Sequence, residues 1–185
     1  MHLPARRLLL SSILLLACSG PVIAQEQAHT GHAGDCSTFT WDVAQELKLL
    51  ATPATEITAG DGTSETRIEP GVMYRAKLRP QAQVKLASRP GKPMLNDDAM
   101  AGLLTFKVPT DGRYYVSITT GHWIDVVDAG QLVRTIDFQG RPNCPVVHKI
   151  VKFELPAGRD LVLQFAGGGA DSSGVLITAV PATAE

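Results

Sequence analysis

The sequence predicts an all-β fold, an antiparallel β-sandwich or jelly roll with one short N-terminal helix. Three observations lead there. From about residue 65 the apolar residues recur with period two, the signature of half-buried strands. The runs that carry this period are short and bounded by turn residues, as in "PTDGR", "VDAGQ", "QGRPN" and "PAGRD". No helical stretch separates one run from the next, which excludes an alternating α/β plan.

In chain order, Arg6 and Arg7 followed by the apolar "LLLSSILLLA" and the small-residue stretch "CSGPVIA" read as a secretory signal over 1–24, cleaved between Ala24 and Gln25. The apolar run is shorter than the roughly 20 residues a membrane helix needs, and no later stretch approaches that length. "LLAC" ending at Cys18 offers a second processing route, a lipid anchor on that cysteine. Either route places the protein in the periplasm or outside the cell. Residues 25–35, "QEQAHTGHAGD", are polar and aperiodic, a flexible arm.

A single β-sandwich domain then spans 36–183. It opens with a helix at about 41–51, where Trp41, Ala44, Leu47 and Leu50 recur at helical spacing. Thr40 is the expected cap and Pro53 the stop. "VMYRAKLRP" and "QAQVKLASRP" begin the strands. "LLTFKVP", "GRYYVSITT", "HWIDVV", "LVRTIDF", "HKIVKFELP", "DLVLQFAG" and "GVLITAV" continue them, for eight or nine in all.

Charge and cysteine count narrow the function. Losing residues 1–24 removes two arginines and no acid, which moves the formal charge from −1 to −3. Such a surface gives no reason to expect nucleic acid or an anionic membrane as partner. Of three cysteines, Cys18 departs with the signal, and Cys36 and Cys144 remain in an oxidising compartment, where a pair is most simply a disulfide. In the chain-entropy model a loop of that size contributes up to about 4.7 kcal/mol.

Candidate chemistry centres on "GHWIDVV". Strand alternation turns His122, Ile124 and Val126 one way and Trp123, Asp125 and Val127 the other. On the outer face an aromatic plane beside a carboxylate could hold a sugar or another small ligand. The structural alternative is a Trp123 covered by the N-terminal helix, with Asp125 paired to a cation such as Arg134. His148, Gln139 and Arg141 lie in the second distinctive stretch, "DFQGRPNCPVVHKIVKFELPAG", and would complete a ligand-binding rim with His122 and Trp123. A transition metal is the one cofactor reading, on His122, His148 and Asp125 or on His29 and His32 of the arm. His122 and Asp125 are three apart, which opposes them across a regular strand. No nucleophile elbow, P-loop or spaced acidic set for calcium is present.

The run "LLTFKVPTDGRYYVSI…VKFELPAGRDLVLQFAGG…GVLITAV" resembles the pre-peptidase C-terminal domain over about residues 101–180. That resemblance implies a secreted β-sandwich that binds or stabilises and has no active site of its own. "C…F-x-W-D-V…E-L", "WIDVV", "DFQG…C…HKIV" and "LPAG" together resemble a group of small secreted proteins of Gram-negative bacteria, some of which carry the label homogentisate 1,2-dioxygenase. No iron-ligand motif accompanies the resemblance, and no catalytic residue carries over. The expected function is a periplasmic module binding a small molecule, glycan or envelope partner protein. The alternative is a small metal-dependent oxygenase or metal-handling protein.

Overall fold

A computed structural model describes Cys36, residues 39–92 and residues 98–181. The expected signal, Cys18 and the expected arm with His29 and His32 lie outside the described residues. The chain runs α1 (Ala44–Leu50), β1 (Thr55–Thr58), β2 (Tyr74–Lys77), β3 (Arg79–Pro80), β4 (Met100–Phe106) and β5 (Gly112–Ile118). It continues with β6 (Trp123–Asp128), β7 (Gln131–Leu132), β8 (Thr135–Gly140), β9 (Lys149–Leu155), β10 (Leu161–Gly168) and β11 (Ser172–Ala179). Six strands form one sheet in the order β1-β2-β11-β5-β9-β8, and five form the other in the order β3-β4-β10-β6-β7. The β-sandwich is therefore as the alternation predicts. Two pairings depart from it: β1 and β2 are parallel, and so is the isolated bridge between Arg67 and Thr105.

Inward-facing alternate residues fill the space between the sheets. Leu104 and Phe106 of β4, Leu161, Leu163 and Phe165 of β10, and Ile124 and Val126 of β6 meet Val116 and Ile118 of β5, Val151, Phe153 and Leu155 of β9, and Val175 and Ile177 of β11. Burying each such side chain stabilises by about 1.5–3 kcal/mol.

The outer faces are largely buried as well, with apolar and polar side chains mixed, and each carries a cover. Over the six-stranded sheet lies the N-terminal segment. Trp41 stacks on Tyr115 at 5.2 Å, and Val43 and Leu50 pack with Ile150 and Leu176. The Cys36–Cys144 disulfide fastens this segment across 108 residues. Helix α1 starts later than predicted, and Thr40 does not cap it. The Thr40 backbone N–H donates to Gln139 Oε1, and the Thr40 hydroxyl accepts from Gln139 Nε2. The Ala44 N–H is instead met by Asp42 Oδ1.

Over the five-stranded sheet lies a strap, residues 84–92. "QAQVKLASRP" is thus not a strand. Gln81–Gln83 form a single 3-10 turn, and the chain beyond that turn crosses the outer face of β4, β10 and β6. "LVRTIDF" also divides, since β7 pairs with β6 in one sheet and β8 with β9 in the other.

Replacing Cys36 and Cys144 together by Ser is expected to lower unfolding free energy by about 2–5 kcal/mol. Urea denaturation under non-reducing conditions measures it. The β-rich circular dichroism should persist, since the disulfide holds a cover and not the sandwich.

Candidate functional site

The site lies where β6 and β9 begin. His122 precedes β6 and turns inward, fully buried, its ring edge-on to Phe165 at 6.1 Å. Its Nδ1 is 2.7 Å from Thr120 Oγ1, which in turn donates to Ser173 Oγ at 2.8 Å. Gly168 lies so close against the imidazole that any Cβ there would collide with the ring, which makes glycine obligatory. Burial first, and the charge of Lys149 second, push the His122 pKa down to about 4.

Asp125 faces the opposite way from His122 and fastens the strap. Its Oδ1 accepts from Trp123 Nε1 at 2.9 Å. Its Oδ2 accepts from Gln164 Nε2 at 3.1 Å and from the Gly91 N–H at 3.2 Å. Gln164, opposite Asp125 in the β6–β10 register, reads the strap as a peptide group reads another. Its Oε1 accepts from Ser88 N–H and its Nε2 donates to Ser88 C=O, each at 3.2 Å. Two expectations are corrected. The partners of Asp125 are an indole, an amide and a backbone N–H in place of Arg134. Trp123 lies beside the strap at Gly91, while the N-terminal helix packs on Tyr115.

Trp123 carries two cations. Lys149 Nζ stands 5.5 Å from the ring centroid and Lys92 Nζ 5.9 Å, both within cation–π range. Lys149 is half-buried and has no ion pair among the described residues. Burial lowers its pKa to about 8, against the opposing pull of Asp125. Sequence reasoning passed over this lysine although a signal was there. Lys149 is in phase with Val151, Phe153 and Leu155, so alternation aims it inward at the mouth of the strand. His148 completes the rim. Its ring sits above Gly121, whose notional Cβ would lie 3.5 Å from His148 Nε2, and burial lowers its pKa, with Lys149 adding to the shift.

Arg141 joins this group through its backbone, its N–H donating to the His148 carbonyl at 2.6 Å, and its guanidinium donates to Gln139 Oε1 at 3.3 Å. Gln139 holds Thr40, and the Arg141 guanidinium lies 4.9 Å from the Phe39 ring centroid, so both tie down the N-terminal segment. Among the described residues no three His, Cys, Asp or Glu side chains converge as metal ligands, and the Asp125 carboxylate is turned away from His122.

No family model matches the chain, and no curated protein does. Among solved structures, the pre-peptidase C-terminal domain of a collagenase from Bacillus anthracis is similar over 68% of this chain and 99% of that domain, at 11% identity and a TM-score of 0.38.

The depressed His122 pKa sets an acid limit. Its folded value lies below the ordinary 6.5, so the stabilisation of the neutral imidazole is complete above pH 6.5. It is lost as pH falls toward about 4. Urea midpoints across this range should show a component of roughly 2–3 kcal/mol that His122→Gln lacks.

Proposed function

We propose that the protein is a secreted periplasmic binding module that takes a small anionic ligand at the Trp123 rim. Lys149 is the observation that carries the reading. It is a half-buried ammonium without an ion pair among the described residues, over an indole that a second lysine also flanks. A buried charge is costly unless paired, and Asp125 already accepts three hydrogen bonds. An anion reaching the rim supplies the missing partner and relieves the repulsion between Lys92 and Lys149. His148 adds a ring nitrogen at the same mouth.

Because both ammonium groups occupy positions over the indole, the rim favours an anion over a neutral sugar stacked on Trp123. Secretion is supported by the signal pattern of residues 1–24 and by the Cys36–Cys144 disulfide, a bond that persists in oxidising compartments. The reading assigns no reaction to the protein.

Sulfate is a suitable probe because its charge does not change over the pH range needed. In a Trp41→Phe background, where Trp123 is the remaining tryptophan, sulfate at constant ionic strength should change the fluorescence saturably. Lys149→Met should weaken this binding at least tenfold, and the exposed helix substitution Lys48→Met should leave it alone. Lys149 loses its proton above about pH 8, so affinity is expected to fall roughly tenfold between pH 7 and 9. A response that is non-saturable, or unchanged in Lys149→Met, overturns the reading.

A further inference from the structure

A groove lies beside the strap, away from Trp123 and Lys149, which do not line it. The loop 62–66 and the strap residues Lys85, Leu86 and Ala87 rise on either side of the outer faces of β4 and β10. They enclose a groove of about 320 Å³, within the range of small-molecule sites. Leu103, Val162 and Leu86 give it an apolar lining. Thr105 adds a hydroxyl at the floor, which donates to Thr66 C=O.

The groove is built, not incidental. One Asp61 carboxylate oxygen accepts four hydrogen bonds, from the N–H and hydroxyl groups of Thr63 and of Ser64, at 2.7–3.0 Å. The other oxygen meets Arg79 at 3.2 Å. These bonds, the Thr63 hydroxyl first, hold the carboxyl far below the usual carboxylate range, so the loop keeps its anchor into strong acid. Gly62 has φ +88°, and a Cβ there would strike the Lys85 carbonyl, so loop and strap touch and close the groove at that point. The Lys85 N–H donates to the Asp61 carbonyl at 2.8 Å and fixes the strap side.

Two opposite charges line this apolar-floored groove from its two sides, Glu65 on the loop and Lys85 on the strap. Both are exposed, and neither forms an ion pair among the described residues. We propose that the groove binds a short zwitterion with an apolar side chain, a free amino acid or a dipeptide. The ligand ammonium meets Glu65, its carboxylate meets Lys85, and its side chain covers Leu103 and Val162. A singly charged ligand satisfies one wall only. A neutral apolar ligand makes neither charge contact.

Calorimetry on the mature protein tests this with L-leucine and leucyl-leucine, which separate the amino acid from the dipeptide. At least one should bind with one-to-one stoichiometry. N-acetyl and amide derivatives of the binding compound, each lacking one charge, should bind at least tenfold more weakly. Glu65→Gln and Lys85→Met should each cost at least tenfold, with circular dichroism confirming the fold. Lys149→Met should leave this binding unchanged, which separates it from the Trp123 rim. Absence of saturable binding by both probes overturns the proposal. So does equal binding of the capped derivatives, or loss of binding in Lys149→Met.

Discussion

Both sheets of this sandwich bury side chains on both faces, and most of the remaining structure answers that constraint. In β4 every residue from Ala101 to Phe106 is buried, although only alternate ones face the sandwich interior. Tyr115, Ile150 and Leu176 pose the same demand on the other sheet. A two-layer sandwich leaves such faces wet, at about 25 cal/mol for each Å² of apolar surface. Two chain segments are recruited to cover them, and they are fastened by different chemistry. The N-terminal segment is held covalently through Cys36 and Cys144. The strap is held by the Gln164 amide and the Asp125 carboxylate, through hydrogen bonds with a net worth of about 1 kcal/mol each. One cover is fastened by a covalent bond and the other by hydrogen bonds alone.

This division explains which parts of the architecture are legible in the sequence. Period-two alternation reports that a segment has two unlike faces, and for β5, β9 and β10 that was sufficient. "QAQVKLASRP" alternates too, yet its apolar residues meet a sheet from above and do not pair within one. Alternation carries no information about hydrogen-bond partners, so strap and strand look alike. Thr40 shows the same limit, since its hydroxyl is drawn to Gln139, 99 residues away, in place of capping α1. The Asp125–Gln164 pair is invisible for a related reason. It exists because of a register between β6 and β10 that no local pattern encodes. Lys149 was readable, since a lysine in phase with three core residues violates the pattern that surrounds it, and such violations mark places where something other than stability is being served.

The polar chemistry of the molecule accumulates where the covers end. His122 is sealed in the interior, Asp125 and Gln164 are consumed by the strap, and Gln139 and Arg141 by the N-terminal segment. The charges still open to a ligand stand at the margins: Lys92 and Lys149 beyond one end of the strap, Glu65 and Lys85 along its flank. Residues 85–92 thus belong to both regions.

The strand order also governs when the protein can form. β10 is the middle strand of its sheet and β11 sits between β2 and β5 in the other, so the last two strands of the sequence are inserted into the interiors of both sheets. A chain that has emerged only as far as residue 160 possesses hairpins and edges but lacks the strand that joins the halves of either sheet. Loop-closure entropy over these long separations further delays assembly. Both sheets therefore stay incomplete until β10 and β11 are available to pair. Residues 161–179 thus supply the central pairings of both sheets, β10 between β4 and β6 and β11 between β2 and β5.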